Sequence, residues 1–216
     1  MLENGPWPSL LLVGPTGSGK TPLGGEIEQR GLGGRRCVHF DFGANLRRIA
    51  ASPEGTAGLA AEDLAAIRAS LATGVLFDER DTAMILKIVR TFAREKGLAP
   101  GSLLILNGLP RHPAQAEALA GVVAVERVVY LQAEASVIRD RLRLNPGGDR
   151  TGRTDDSLDA VEKRLAEFRE RTLSLVDHYR RLGVPVTVLR VTAAMTAGTM
   201  YEALAALMRE GEGGVP

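Results

Sequence analysis

The sequence predicts an α/β protein built on a five-stranded parallel sheet, with helices on both faces and two small inserted lobes. Three observations carry that expectation. Five short apolar runs stand out along the 216 residues, and stretches with apolar side chains three and four apart separate them. Strands that alternate with helices in this way pack as a parallel sheet covered on both sides. Directly after the first run comes a segment dense in glycine and hydroxyl side chains, where a strand hands over to a helix. With 44% hydrophobic and 25% charged residues the chain has material for one core, so residues 1–216 read as a single domain.

The first strand is expected at "SLLLV" (9–13), with Trp7 packing at its start. Cys37 opens the second run, "CVHF" (37–40), as a small apolar residue. Residues 42–77 hold helical patterns but no strand, and form the first lobe. "LAAEDLAAIRASLATG" and "DERDTAMILKIVRTFAREKG" each stop at glycine, with Asp78 and Asp81 as N-terminal caps of the second. Two more strands are expected at "LLILN" (103–107) and "RVVYLQ" (127–132). The glycine-rich, charged "RLNPGGDRTGRTDDS" (143–157) forms the second lobe. "DDSLDAVEKRLAEFRERTLSLVDHYRRLG" reads as one long amphipathic helix, capped near Asp156–Ser157 and stopped at Gly183. "VTVLRV" (186–191) closes the sheet. Ligands of such sheets bind beyond the carboxyl ends of the strands.

The glycine-rich segment is "GPTGSGKT": Gly14, Pro15, Thr16, Gly17, Ser18, Gly19, Lys20 and Thr21. Its spacing is the phosphate-cradling pattern G-x-x-x-x-G-K-[ST], in the strand-to-helix context the pattern needs. Backbone amides can surround a phosphate only if the chain approaches closely and turns through positive φ, which glycine permits. The helix starting near Lys20 adds unpaired N–H groups and a positive dipole end. Lys20 brings a charge to the outer phosphates, and the Thr21 hydroxyl suits a magnesium ion. Pro22 is tolerated in a first helical turn. The fold class is therefore the P-loop nucleoside triphosphate hydrolase fold, with ATP and Mg2+ as expected ligands.

Composition excludes several classes. A net charge of +1 gives no push toward a nucleic acid polymer or a membrane surface. The single cysteine rules out a disulfide framework and a cysteine-built zinc site within the chain. The N-terminal apolar run is too short for a membrane span and lacks the basic flank of a signal, so a cytoplasmic location is expected. A monomer is the expected state.

Over nearly its whole length the sequence resembles the adenylate kinase family of nucleoside monophosphate kinases, through several motifs in the right order. In "HFDFGANLRR", Gly43, Leu46 and Arg47 match the segment that opens the monophosphate lobe. "GVLFDE" (74–79) resembles the return of that lobe, with Leu76 among the side chains facing the acceptor base. "LNGLPRHPAQ" is similar to the signature Asp-Gly-Phe-Pro-Arg, with Gly108, Pro110, Arg111 and Gln115 matching. The resemblance implies that Arg47 holds the acceptor's phosphate, that Arg111 bridges phosphates and that Gln115 reads an acceptor adenine. "DRLRLNPGGDRTGRTDD" resembles the hinge and the short form of the lid, placing Arg141 near the ATP base and phosphates and Arg153 in the lid. In "EKRLAEF", Arg164 matches the helix arginine that reaches the transferred group. Lys20, Arg111, Arg153 and Arg164 are thus the implied catalytic set. Phosphoryl transfer between polyanions needs positive charge around the transfer path and water kept out.

The chain also departs from that family pattern. Asn107 stands where an aspartate is expected to hold the magnesium ion's water shell, so Thr21 and Asn107 form a weakened metal side. Phe42 and Ala44 replace a threonine and an aspartate, and Asp41 could replace part of the lost charge. Asn145 occupies the place of another lid arginine, and His112 that of a threonine. His39 and His178 are assigned to packing and surface. The leading expectation is reversible, magnesium-dependent transfer of the ATP γ-phosphate to a nucleoside monophosphate, AMP first. The alternative is a nucleotide-binding sensor or interaction module on the same scaffold, favoured by Asn107 and Ala44. A GTPase switch is disfavoured because no Asn-Lys-x-Asp base-reading motif occurs.

Overall fold

In a computed structural model describing residues 6–52, 58–75, 77–148 and 158–212, all five apolar runs are strands. They are β1 (Trp7–Val13), β2 (Cys37–Asp41), β3 (Leu103–Asn107), β4 (Val123–Gln132) and β5 (Val186–Arg190). The sheet order is β2-β3-β1-β4-β5, and every pairing is parallel. This is the P-loop α/β architecture the spacing predicts. β4 starts four residues earlier than its apolar run, because a register shift between Ser9 and Leu10 keeps it paired with β1.

Both faces of the sheet are covered, which is why β1 and β3 read as continuous apolar runs rather than alternating ones. Leu11, Val13, Phe40, Leu104, Leu106 and Val128 point to one face. There they meet α4 (Thr82–Glu95) through Met84, Ile88 and Phe92, and α8 (Leu173–Arg181) through Leu175, Val176 and Tyr179. Helices α2 (Phe42–Ala51), α3 (Ala61–Thr73) and α5 (Pro113–Leu119) add Leu46, Ile67 and Leu119 to the same cluster. On the other face Leu10, Leu12, Ile105, Val129 and Leu131 are closed over by two helices. These are α1 (Lys20–Arg30), through Leu23 and Ile27, and α9 (Ala197–Glu212), through Met200 and Leu204. α9 lies beyond the last expected element, although the Met200–Leu204 spacing is its mark in the sequence. Among the described residues no helix is long and apolar enough to cross a membrane.

Two local expectations change. Asp81 precedes α4 but does not cap it: its Oδ2 accepts from the Asp78 N–H at 2.9 Å, closing the short 3-10 turn Glu79–Asp81. The long helix expected after residue 155 is interrupted. It runs as α7 (Leu158–Glu167), a π-helical turn over Phe168–Thr172, and then α8. From Phe168 to the next apolar residue, Leu173, the step is five positions rather than three or four, which is the mark the turn leaves in the sequence. The turn forms where Phe168 is buried, with its ring stacked on Tyr130 of β4 at 6.3 Å between centroids. The cap expected near Asp156–Ser157 lies outside the described residues.

Helix α1 carries two adjacent glycines with opposite demands. A Cβ on Gly24 would lie 2.3 Å from Nε2 of His39, whereas one on Gly25 would meet nothing within 4 Å. Gly25→Ala should therefore raise stability by about 0.5–1 kcal/mol, the usual gain of alanine over glycine in a helix. Gly24→Ala should fall at least about 1 kcal/mol below it, because the half-buried His39 ring must move. Urea unfolding of the two variants side by side checks this; equal midpoints would contradict the packing.

Candidate active site

The glycine-rich loop leaves β1 at the carboxyl edge of the sheet. Gly17 and Gly19 hold φ of 79° and 96°, a conformation that disfavours other residues. Gly14 is required for space: a Cβ there would sit 2.8 Å from Ser18 Oγ and 2.9 Å from the Leu131 carbonyl of β4. Lys20, the first residue of α1, donates through Nζ to the Gly14 and Pro15 carbonyls at 2.6 and 2.8 Å. Its ammonium therefore lies within the loop at the positive end of the helix dipole.

Arg141 supports that loop from below. It lies in α6 (Ala135–Leu144) and is only 3% exposed. Its Nε donates to the Gly17 carbonyl at 3.2 Å, and its Nη1 donates to the Thr192 and Met195 carbonyls at 2.9 and 2.6 Å. The planar guanidinium thus ties the phosphate-loop geometry to the β5–α9 connection, a role the sequence does not disclose. Asn145 ends α6 in the left-handed conformation, φ 45°, which asparagine tolerates better than an arginine would.

The strand ends beside Lys20 bring four polar side chains together. Asp41 and Asn107 are register partners at the last rung of the β2–β3 ladder. Thr21 donates through Oγ1 to Asp41 Oδ2 at 2.6 Å. Asn107 Nδ2 donates to Thr21 Oγ1 and to Asp41 Oδ2, each at 3.0 Å, and lies 3.4 Å from His39 Nε2. Burial pushes the His39 imidazole below its usual pKa, with the Asp41 carboxylate pulling the other way. His39, expected to serve packing alone, therefore borders this cluster as well.

Across the cleft, Gly108 at φ 82° and a cis Leu109–Pro110 peptide turn the chain sharply after β3. Within the turn, Arg111 Nε donates to the Gly108 carbonyl at 3.0 Å. Gln115 is buried, and its amide bonds the main chain on both sides: Oε1 accepts from the Arg111 N–H at 2.9 Å, and Nε2 donates to the Phe77 carbonyl at 3.1 Å. It ties the segment entering the 3-10 turn before α4 to the Arg111 turn. Phe42 is also buried, its ring edge-to-face with Phe77 at 5.8 Å. Arg47 lies one helical turn beyond Gly43, its Nη1 3.4 Å from where a Gly43 Cβ would be.

One cleft, partly open to solvent, joins these pieces. Gly14, Thr16, Gly17, Gly19, Lys20, Thr21 and Arg141 line one part; Phe42, Arg47, Gly108, Arg111 and Gln115 line another, with Asn107 also on the wall. Pro15 and Ser18 belong to the loop but not to the cleft wall. Leu76 and Arg153 lie outside the described residues. Arg164 falls in α7, and its side chain is likewise outside them. The cleft also includes Ser70 and Leu71 of α3, Val75 just after it, and Glu167, Phe168 and Thr172 at the π turn, which the sequence did not mark. A π turn often accompanies a functional site, since it sets side chains off the regular helical spacing.

The strand-end cluster suits magnesium. Thr21 hydroxyl, Asp41 carboxylate and Asn107 amide are hard oxygen-bearing groups, the kind this ion selects. Among the described residues no group of three or more His, Cys, Asp or Glu side chains is placed to cage a metal unaided. The site fits an ion carried in by phosphates.

Comparison with known proteins places this geometry in context. A family model described as an AAA domain matches residues 13–162. The chain is 34% identical over 185 residues to an adenylate kinase of Parasynechococcus marenigrum (strain WH8102), covering 83% of this chain and 88% of that one. It is 31% identical over 186 residues to an adenylate kinase of Prochlorococcus marinus (strain MIT 9313), with the same coverage of both. Among solved structures, a sugar kinase from Janibacter sp. HTCC2649 is similar at TM-score 0.51 and 15% identity, over 94% of this chain and 95% of that one. A gluconokinase from Sinorhizobium meliloti 1021 is similar at TM-score 0.50 and 19% identity, over 95% and 94%. At these identities the structural likeness speaks to the fold alone.

Proposed function

Since the chain belongs to the adenylate kinase family, we propose that it is a phosphotransferase that moves the γ-phosphoryl group of ATP reversibly to a nucleoside monophosphate, AMP first. The observation that carries the reading is the convergence of the phosphate loop, with Lys20, and the two cationic side chains Arg47 and Arg111 on one cleft. A polyanion on the loop side and a second anion between Arg47 and Arg111 are the two substrates such a cleft accommodates. In the transfer, an oxygen of the acceptor phosphate forms a bond to the γ-phosphorus while the bond to the β–γ bridging oxygen breaks, leaving ADP.

Within this reading Lys20 screens the outer phosphates, and Arg111 bridges the donor and acceptor groups. The family resemblance adds Arg153 and Arg164 to this set, so that closure would be coupled to transfer. Thr21 and the strand-end cluster would hold a magnesium ion carried in with ATP, which would supply neutralisation of the phosphate charge. The apolar wall of Phe42, Leu46, Leu71, Val75 and Phe77 packs against the acceptor base.

The sensor alternative draws support from the neutral amide at the end of β3 and from the main-chain engagement of Gln115. Purified protein with MgATP and each ribonucleoside monophosphate in turn separates the two. The kinase reading expects diphosphate from both substrates in equal amounts, highest with AMP. ATP binding without diphosphate from any acceptor would overturn it in favour of the sensor.

A further inference from the structure

Resting on the phosphotransfer reading, we propose that Asp41 at the end of β2 is the carboxylate that positions the metal ion of metal-bound ATP, with Asn107 serving to orient it. Asp41 Oδ2 accepts from Thr21 Oγ1 at 2.6 Å, the hydroxyl that the loop motif presents to a metal. Asn107 stands opposite Asp41 on the last rung of the ladder, and its Nδ2 donates to the same Oδ2 at 3.0 Å. The Ala44 N–H donates to Oδ1 at 2.8 Å. Three donors on two oxygens leave the carboxylate one orientation, at the cleft wall and beside the phosphate loop.

The ion's own chemistry selects this group. Magnesium at a nucleotide keeps several waters and takes one or two carboxylates besides the phosphate oxygens. A charged oxygen next to the Thr21 hydroxyl accepts from such waters more strongly than an amide does. The other acidic side chain on the cleft wall among the described residues, Glu167, belongs to α7 rather than to the strand ends. The charge sits on β2 because β2 and β3 end side by side. Moving a carboxylate across one rung preserves its reach to Thr21.

Asn107→Asp alone is then no repair. It sets a second carboxylate within hydrogen-bonding distance of the first, and one of the two resists ionisation. The exchange variant, Asp41→Asn with Asn107→Asp, keeps one charge and moves it to the neighbouring strand. Asp41→Asn retains an oxygen to accept from Ala44, so the start of α2 keeps its cap.

The test uses the full chain, the β,γ-imido analogue of ATP and Mn2+, with free Mn2+ read by electron paramagnetic resonance. Asp41→Asn should weaken Mn2+ binding to the protein–analogue complex by on the order of tenfold. Binding of the analogue without metal should not weaken, because the substitution removes a negative charge from beside the phosphates. The exchange variant should recover Mn2+ affinity to within about threefold of wild type. Unchanged Mn2+ affinity in Asp41→Asn overturns the inference. So does a loss that the exchange variant fails to recover, since that assigns the effect to local structure. Failure of the wild-type protein to bind the analogue, with or without metal, is a different result and overturns the phosphotransfer reading itself.

Discussion

Lys20→Ala should lower ATP affinity or turnover at least about tenfold, equivalent to about 1.4 kcal/mol. The ammonium lies inside the phosphate loop, bonded to the Gly14 and Pro15 carbonyls, where it adds positive charge to the inward amides and the helix terminus. Removing it takes away charge where the nucleotide gathers negative charge, and it also loosens the loop. A melting curve separates the two effects, because the loop is half open to solvent and its loss should shift the midpoint only slightly. A fluorescent ATP analogue supplies the affinity. Unchanged binding and unchanged turnover in the variant would remove the phosphate-loop reading.

Arg141→Ala should produce the largest loss of stability among single changes at the site. The side chain is buried and donates to three main-chain carbonyls, of Gly17, Thr192 and Met195. Alanine leaves those acceptors without their partner and opens a cavity beneath the loop, a cost of about 2–4 kcal/mol. For a domain of this size that lowers the melting midpoint by roughly 4–16 °C. Arg141→Lys should recover only part of it, since an ammonium cannot reproduce the planar fork. If Arg141 acted only on the nucleotide, the midpoint of the ligand-free protein would not move while ATP affinity fell. The two outcomes are separated by thermal unfolding with and without ATP.

Much of the fold was legible in the sequence because its signals are local. Leu10–Val13 and Leu103–Leu106 are continuous apolar runs, as strands buried on both faces must be, and the loop motif sits directly after the first. Where a signal depends on packing it went unread. The π turn leaves only a single five-residue step, Phe168 to Leu173, in the apolar spacing; it follows from burying the Phe168 ring against Tyr130 on another element. Asp81 reads as a cap in sequence, but its carboxylate turns back to the Asp78 N–H because the chain enters α4 through a 3-10 turn.

The sequence by itself determined the five strands in order, the phosphate loop and its lysine, and the membership of a kinase family, since each is written in residues close together or in motifs in fixed order. Only the tertiary structure decided which distant side chains act together. Asp41 and Asn107, 66 positions apart, become neighbours because β2 pairs with β3 in a register that ends both strands on the same rung. Arg141 meets Gly17, 124 positions away, because α6 packs beneath the loop after β1. Gln115 joins Phe77 to the Arg111 turn in the same way, across 38 positions. Such pairs depend on strand order and register, which arise from burying two apolar faces at once; no local pattern encodes them.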